Sequence, residues 1–336
     1  MKSSIARIVP RLVVLLGGTT LGIVLLVFLL RSVNFDQLGA ALSNANYGYL
    51  GLALIPFLVN WLLKIPRWAL LFGDDSPDWD TLFGAMNVGY AINALLPARL
   101  GELVRAYWVR DRAGLSMVQT LSTIALERVL DGVTLVIILL VLLPTVAFPH
   151  ELAAPAITLG SLFVAALVGM IALAYTARDE ASFFSRRLRQ FEEGRTAPVG
   201  RALRQIVSGL SALQSIRSLL LILGYTLIIW ASNALFAWLL LLAFHINVSV
   251  AAGVLLTAVL NLGMAVPSSP GYVGVFEYLF VITIGLYGVG RTPALAAALT
   301  LHVIAFGPVT IVGLIYIARA LGWTVRMLRV SLTNTG

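Results

Sequence analysis

The sequence contains no cysteine, and only 11% of its 336 residues are charged. The missing cysteine excludes disulfide bonds and thiolate chemistry. The scarcity of charge excludes an ordinary soluble domain, in which about 25% of the residues are charged. There are only three histidines, and no metal-ligand spacing surrounds any of them. We therefore expect neither a metal site nor a cofactor.

Long apolar runs take the place of the missing charge, and 60% of the residues are hydrophobic. A helix of about 20 apolar residues crosses the ~30 Å hydrocarbon core, whereas barrel strands alternate over about ten. The sequence thus predicts an all-α polytopic membrane protein with a single transmembrane domain over residues 1–336. Its six full spans are expected at about 12–30, 48–72, 116–143, 153–176, 218–244 and 294–318. The first run is too long for a signal peptide, so we interpret it as a retained helix.

Two further apolar stretches, about 80–112 and 250–290, are each interrupted near the middle by proline, glycine and polar residues. If 80–112 crossed the membrane completely, the arginines that follow the interruption would lie outside, against the positive-inside rule. We predict two re-entrant helical hairpins instead. With both termini in the cytoplasm, this topology keeps most of the 23 lysines and arginines inside a cytoplasmic-type plasma membrane.

The two halves of the chain, about 1–146 and 150–320, then have the same order of span, span, hairpin and span in opposite orientations. Inverted repeats with interrupted segments are typical of secondary transporters, whose site lies where those segments meet. The net charge of +8 belongs largely to the cytoplasmic loops, so no nucleic-acid partner is expected. The basic loop, about 177–217, contains an amphipathic stripe. This stripe predicts either an interfacial helix that attracts anionic lipid or a linker helix that packs on the bundle.

The first interrupted segment contains Pro97 and Gly101, which stop a continuous helix. The N–H groups of the renewed helix, with Arg99 beside them, favour binding of an anion. The alternative is that the arginines are interfacial and extend towards lipid phosphates. The candidate binding residues here are Asn93, Arg99, Glu102 and Arg105.

The following span carries Glu127, Arg128 and Asp131 within an apolar helix. Because Arg128 and Asp131 are three residues apart, we expect one ion pair within the helix. The acid left over needs another partner, most simply an arginine of the first interrupted segment. These three residues are therefore candidates for the binding site, and the alternative is a purely structural polar contact between helices.

The second interrupted segment has two prolines and two glycines within eight residues, which enforces a turn deep in an apolar run. The breaks are Pro267, Pro270, Gly271 and Gly274, and the candidate binding residues are Ser268, Ser269, Tyr272 and Glu277. We expect the helix to restart near Tyr272, with Glu277 available as a proton or cation site. His302 is interpreted as a lone packing residue.

These blocks together resemble the flippase-like transmembrane domain of the lysylphosphatidylglycerol synthase family. Three blocks match the family in their order along the chain: Asn93 to Arg105, Glu127-Arg128-x-x-Asp131, and Pro267 to Glu277. The segment Lys64-Ile-Pro-Arg67-Trp68, which precedes these blocks, is also similar. The resemblance implies a domain that moves a phospholipid or polyprenyl-linked lipid between leaflets. In the bifunctional synthases an aminoacyl-transferase domain follows, and this sequence shows none, so lysyl transfer is not expected.

The function expected from the sequence is therefore a lipid flippase that is not an enzyme and whose partners are anionic or phosphate-bearing membrane lipids. Arg99 and Arg105 would bind the phosphate, and the four acids would balance them when the site is empty. Two alternatives stay open at this stage. One is a membrane-embedded transferase or phosphatase, and the other is a non-catalytic membrane assembly partner.

Overall fold

The computed structural model describes residues 19–31, 34–96, 99–142, 150–178, 197–264 and 269–333. Within these ranges the chain is all helical, without a strand. Pro97, Pro267, Ser268 and residues 179–196 of the basic loop lie outside the described residues. The helices are α1 Thr19–Leu30, α2 Phe35–Ser43, α3 Tyr47–Leu71, α4 Trp79–Leu95, α5 Gly101–Ala113, α6 Met117–Leu142, α7 His150–Arg178, α8 Ala197–Ser208, α9 Ile216–Ala243, α10 Val250–Gly263, α11 Val275–Gly285 and α12 Arg291–Thr333.

Three of these helices are long and apolar enough to cross a membrane: α3, α9 and the Arg291–Gly322 part of α12. A fourth span results if α1 and α2 together form one bent crossing. Large apolar side chains such as Ile55 on α3, Leu227 on α9 and Ile311 on α12 face outwards and are exposed. A surface of this kind requires lipid as its solvent. The protein is thus a polytopic helical membrane protein.

The helices lie close to the segments predicted from hydropathy, and α6 and α7 correspond to the predicted runs 116–143 and 153–176. Helix α6 also carries three charged residues, which a lipid-facing helix does not tolerate. Helix α2 was not predicted, because nine residues give little periodic signal. It begins at Asn34, whose side chain accepts hydrogen bonds from the backbone N–H groups of Asp36 and Gln37.

The first interrupted segment forms a hairpin of α4 and α5. Its two outer ends lie together, because Arg112 Nη1 is 3.8 Å from Asp80 Oδ2. At the turn, the Asn93 side chain accepts a hydrogen bond of 2.7 Å from the Gly101 N–H. A Cβ atom on Gly101 would lie 2.1 Å from the carbonyl oxygen of Gly89, so the two helices can pack this closely only with glycine at 101. The segment 80–112 thus folds back on itself as two packed helices.

The second interrupted segment forms a similar hairpin of α10 and α11, joined through a short 3-10 turn at Pro270–Tyr272. Helix α11 begins at Val275 and not near Tyr272 as expected. The reason is Gly274, whose φ of +87° lies outside the helical region. A Cβ atom there would also lie 1.9 Å from the carbonyl oxygen of Gly22 in α1. Glycine at 274 therefore allows both the turn and the contact with α1.

The amphipathic stripe of the basic loop is divided between two elements. Helix α8 ends at Ser208, and a 3-10 turn follows at Ser211–Gln214. Leu210 and Leu213 near the end of the stripe are buried in the core that α3, α4 and α6 share. Val199 at its start is exposed. Leu210 and Leu213 thus pack on the bundle, as one of the two alternatives predicted, whereas Ile216, the last residue of the stripe, is exposed.

Candidate functional site

An internal cavity of about 210 Å³ lies between the two hairpins and helices α3, α9 and α12. A second cavity of about 280 Å³ adjoins it on the side of α6. We treat the two as one central cavity because they share part of their walls. The shared wall residues are Asn60, Lys64, Arg99, Arg128, Asn233 and Asn261.

The turns of the two hairpins meet at this cavity. Arg99 donates a hydrogen bond from Nη2 to the carbonyl oxygen of Met264 at the end of α10. Its guanidinium also lies 5.9 Å from the ring centre of Tyr272. A Cβ atom on Gly271 would lie 3.3 Å from the carbonyl oxygen of Ala94. The prediction that the two interrupted segments approach each other is confirmed.

The backbone of Arg99 is held in a conformation that is rare for residues other than glycine. Its φ is +53°, in the left-handed region. Such a conformation costs about 1–3 kcal/mol and persists only where the surrounding structure holds it. Here the Gly101 N–H bond to Asn93 and the bond from Arg99 to Met264 hold the turn on both sides. The result is an arginine that lines the central cavity.

A group of charged residues, most of them buried, borders the cavity, and we call it the ion cluster. Arg67 lies at its centre and is only 1% exposed. Its guanidinium donates to Asp131 at 2.6 and 3.2 Å and to Glu127 at 3.1 Å. Arg105 donates to the other oxygen of Glu127 at 3.0 Å. The members of the ion cluster are Arg67, Arg105, Glu127, Arg128 and Asp131.

The predicted pair of Arg128 with Asp131 is wrong. Arg128 donates to the neighbouring Glu127 at 2.9 Å. Asp131 is already held by both amino groups of Arg67 and by the indole N–H of Trp230 at 3.2 Å. The expectation that an arginine of the first interrupted segment would neutralise an acid of α6 is confirmed by Arg105 and Glu127.

Arg67 and Lys64 are not among the candidate site residues predicted from the sequence, and they are named there only in the block that supports the family resemblance. Positive charge at the end of a span is ordinary. The structure places Arg67 among buried side chains, within the same helix as Lys64. The position of Arg67 inside an apolar run of α3 could have indicated a buried, paired charge, because charged residues at membrane depth are rare and are paired.

Two cations on the cavity wall form no ion pair among the described residues, and a third is paired but partly exposed. Lys64 and Arg99 have no carboxylate within 4.0 Å among the described residues, and Lys64 has the ring of Tyr90 at 5.7 Å. Arg128 bonds Glu127, yet 42% of its side chain is exposed, and it lines both parts of the cavity. These three residues come from α3, the first turn and α6. Their convergence makes the cavity strongly electropositive.

Glu102 also lines the cavity but does not pair with Arg105, although the two share a helix face. Arg105 is turned to Glu127 and stacks on the indole of Trp68 at 3.9 Å. In the described part of the chain, the buried oxygen Oε2 of Glu102 has no hydrogen-bond partner. A buried polar atom without a partner is costly, so this oxygen is available to a ligand.

The cavity does not include Glu277, which is 2% exposed. One of its carboxylate oxygens accepts from the Gly274 N–H at 2.6 Å and the other lies 2.5 Å from Nδ1 of His302. The side chain of Glu277 thus caps the N-terminus of α11 by accepting a backbone hydrogen bond. His302 packs between the rings of Phe276 and Phe306, as expected, but it is not isolated, because it also joins α12 to Glu277.

Of the other candidates in the second segment, Tyr272 lines the cavity. Ser269 does not, and its hydroxyl donates to the carbonyl oxygen of Val273 at 2.6 Å. Asn93 of the first segment lines the cavity beside Arg99. Among the residues that the structure describes, no group of three His, Asp or Glu side chains is arranged to hold a metal ion.

Fold and cavity define a class: multi-pass helical membrane proteins with a basic cavity between two interrupted helical hairpins. The chain belongs to the family described as the lysylphosphatidylglycerol synthase TM region, whose model matches residues 12–313. The resemblance found in the sequence motifs is therefore confirmed.

Two curated proteins are similar to the chain. One is the glycosyltransferase AglD of Haloferax volcanii, 27% identical over 91% of this chain and 54% of that protein. The other is a UPF0104 membrane protein of Methanocaldococcus jannaschii, 22% identical over 67% of this chain and 92% of that protein. The chain thus spans about half the length of the Haloferax protein. No solved structure matches it.

Proposed function

We propose that the protein is a flippase that moves a phosphate-bearing lipid between the leaflets of a membrane. The observation that carries this proposal is the set of three cations, Lys64, Arg99 and Arg128, on the wall of a cavity inside a helical membrane protein. Charged side chains at membrane depth are costly and rare unless a function maintains them.

The chemistry of the cavity suits a lipid headgroup. A phosphate that crosses ~30 Å of hydrocarbon must exchange its hydration for protein donors. Arginine donates two parallel hydrogen bonds to such a group, and lysine binds it as a point charge. The side-chain amides of Asn60, Asn93 and Asn233 add neutral hydrogen-bonding groups to the walls. The acyl chains remain in the bilayer, so the cavity needs to accept the headgroup alone.

We also propose the membrane arrangement that this transport requires: six full spans, two re-entrant hairpins in inverted repeats, and both termini in the cytoplasm. The meeting of the hairpin turns at one cavity supports it. Single cysteines offer a direct measurement, since the chain has none of its own. With an impermeant thiol reagent, positions 105–112 are expected to react only from the cytoplasmic side, and positions 245–249 and 290–293 only from outside. Labelling of 105–112 from outside would refute the first re-entrant hairpin.

A membrane-embedded transferase is the second candidate, because the Haloferax relative is named a glycosyltransferase. A general base needs a carboxylate that is free to take a proton near the substrate. In the described structure Glu127 and Asp131 are held by arginines, and Glu277 is held by Gly274 and His302. Only Glu102 has an unbonded oxygen on the cavity wall. We therefore favour transport over catalysis.

Reconstitution of the protein into liposomes distinguishes lipid transport from transferase activity and from a role as an assembly partner. The purified chain is placed in liposomes that contain a fluorescent phosphatidylglycerol in both leaflets, and a membrane-impermeant reductant bleaches the outer leaflet. Protein-free liposomes are expected to lose about half of the fluorescence, because the reductant reaches only the outer leaflet. Liposomes that contain the protein are expected to lose a clearly larger fraction, and to lose it faster, because labelled lipid is moved from the inner to the outer leaflet. Formation of a new lipid product would favour the transferase. Neither transfer nor product, for phosphatidylglycerol or for phosphatidic acid, would favour an assembly partner.

A further inference from the structure

We propose that the headgroup bound in the central cavity carries two negative charges, as a phosphomonoester or diphosphate does, and not the single charge of a phosphodiester. This inference rests on the proposed function and specifies its substrate class. It comes from the balance of charges around the cavity, which the transport proposal does not use.

The charges on the cavity walls and in the ion cluster do not cancel. In the described ranges of the chain they comprise five cations and three carboxylates. The cations are Lys64, Arg67, Arg99, Arg105 and Arg128, and the carboxylates are Glu102, Glu127 and Asp131. Two positive charges are therefore in excess.

The excess lies on the cavity side of the ion cluster. Glu127 and Asp131 neutralise two of the three arginines bonded to them, and of the cluster members that line the cavity Arg128 is the most exposed, with 42% of its side chain accessible. On the wall itself, the carboxylates among the described residues are Glu102 and Asp131, and Asp131 is already paired with Arg67, so Glu102 alone is left to offset Lys64 and Arg99. Uncompensated charge in a region of low dielectric is costly, so the ligand that best stabilises the site carries an equal and opposite charge. A monoanion leaves one positive charge over, and a zwitterion leaves both.

The directions of the donors agree with the charge balance. Lys64 approaches from α3, Arg99 from the turn between α4 and α5, and Arg128 from α6. A phosphomonoester has three terminal oxygens and can accept charge-assisted hydrogen bonds from three sides. A phosphodiester has only two non-ester oxygens, because the other two carry organic groups. Three separate cations are thus matched by a terminal phosphate.

The proposal is tested by equilibrium binding to the full chain in detergent, with the intrinsic fluorescence of Trp61 and the other tryptophans as signal. Trp61 lines the cavity. The probes are dihexanoyl phosphatidic acid, a monoester, and dihexanoyl phosphatidylglycerol, a diester, at pH 8.5. At that pH a phosphomonoester, with a second pKa of about 6 in phosphorylated residues, is a dianion. We expect phosphatidic acid to bind about tenfold or more tightly, since charge-assisted bonds are the strong ones.

Two changes are expected to reduce this preference to within about threefold, because each removes one charge from the balance. The first is Lys64→Gln, which leaves one excess positive charge in the cavity. The second is a shift to pH 5.5, at which phosphatidic acid becomes a monoanion. Arg110→Gln serves as matched control, since Arg110 is exposed at the far end of α5 and lines neither part of the cavity. This variant is expected to keep the full preference.

Equal affinity for the two lipids at pH 8.5, or tighter binding of phosphatidylglycerol, would overturn the inference. The proposed transport function would still hold in that case if phosphatidylglycerol were transferred in liposomes. If no lipid were transferred, the transport function would be refuted, whatever the binding preference. Inorganic phosphate is the third probe. If it bound as tightly as phosphatidic acid, the site would belong to a free anion and the lipid assignment would be wrong.

Discussion

Arg67→Met is expected to prevent most of the protein from accumulating in a folded form. Arg67 bonds both Glu127 and Asp131, and its removal leaves the buried Asp131 without a cation, whereas Glu127 keeps Arg105 and Arg128. Loss of one partner from a buried ion pair costs about 3–5 kcal/mol, a large part of the about 5–15 kcal/mol that stabilises a typical protein. The measurement is the yield of monodisperse protein and its thermal melting temperature in detergent.

A double variant tests whether the loss of stability comes from the contact between Arg67 and Asp131. Asp131→Asn in the Arg67→Met background removes the stranded charge and keeps an acceptor for the indole N–H of Trp230. We expect this double variant to be more stable than Arg67→Met alone, which is the coupling that a direct contact predicts. Arg110→Met should leave yield and melting unchanged. A single variant Arg67→Met as stable as the native chain would show that the ion cluster is not required for folding.

Arg99→Lys is expected to reduce lipid transfer in liposomes by about tenfold or more while the protein remains folded. The substitution keeps the positive charge but removes the planar fork that can donate to two acceptors at once. In the structure one amino group of Arg99 is already bound to the Met264 carbonyl, so a substrate phosphate needs the remaining donors. Lysine cannot serve both acceptors with the same geometry. The measurement is the initial rate of transfer, with melting temperature beside it.

The matched control for this prediction is Arg110→Lys, the same exchange on the exposed end of the same hairpin. It is expected to transfer lipid at the native rate. If Arg99→Lys also transferred at that rate, a bidentate contact from Arg99 to the phosphate would be ruled out. If instead its melting temperature fell steeply, the bond to Met264 would be primarily structural.

Much of the fold could be predicted because lipid simplifies the physical problem. A run of apolar residues without a nearby break has no stable form in hydrocarbon other than a helix, and each of the two breaks is set by proline and glycine. The hairpin of α4 and α5 also followed from charge, since its arginines have to stay on the cytoplasmic side. The meeting of the turns followed from the repeated order of elements in the two halves.

The pairing of the charges could not be predicted in the same way. Spacing along α6 favoured Arg128 with Asp131, but the contact that formed depends on how far α3 lies from α6, which local sequence does not encode. The same reason applies to Glu277 and His302, which are 25 residues apart and on different helices. Lys64 was overlooked as a wall residue because a lysine near a span end is ordinarily interfacial.

The bond from Arg99 to Met264 has a consequence for the empty protein. Arg99 is both a wall of the cavity and the tie between the two hairpins. A phosphate that draws its guanidinium away weakens that tie, whereas an empty cavity leaves it intact. Occupancy and opening are then a single equilibrium, since a ligand shifts a conformational balance by as much as it prefers one state. If the protein is the flippase proposed above, binding of the lipid phosphate and release of this tie between the hairpins are coupled.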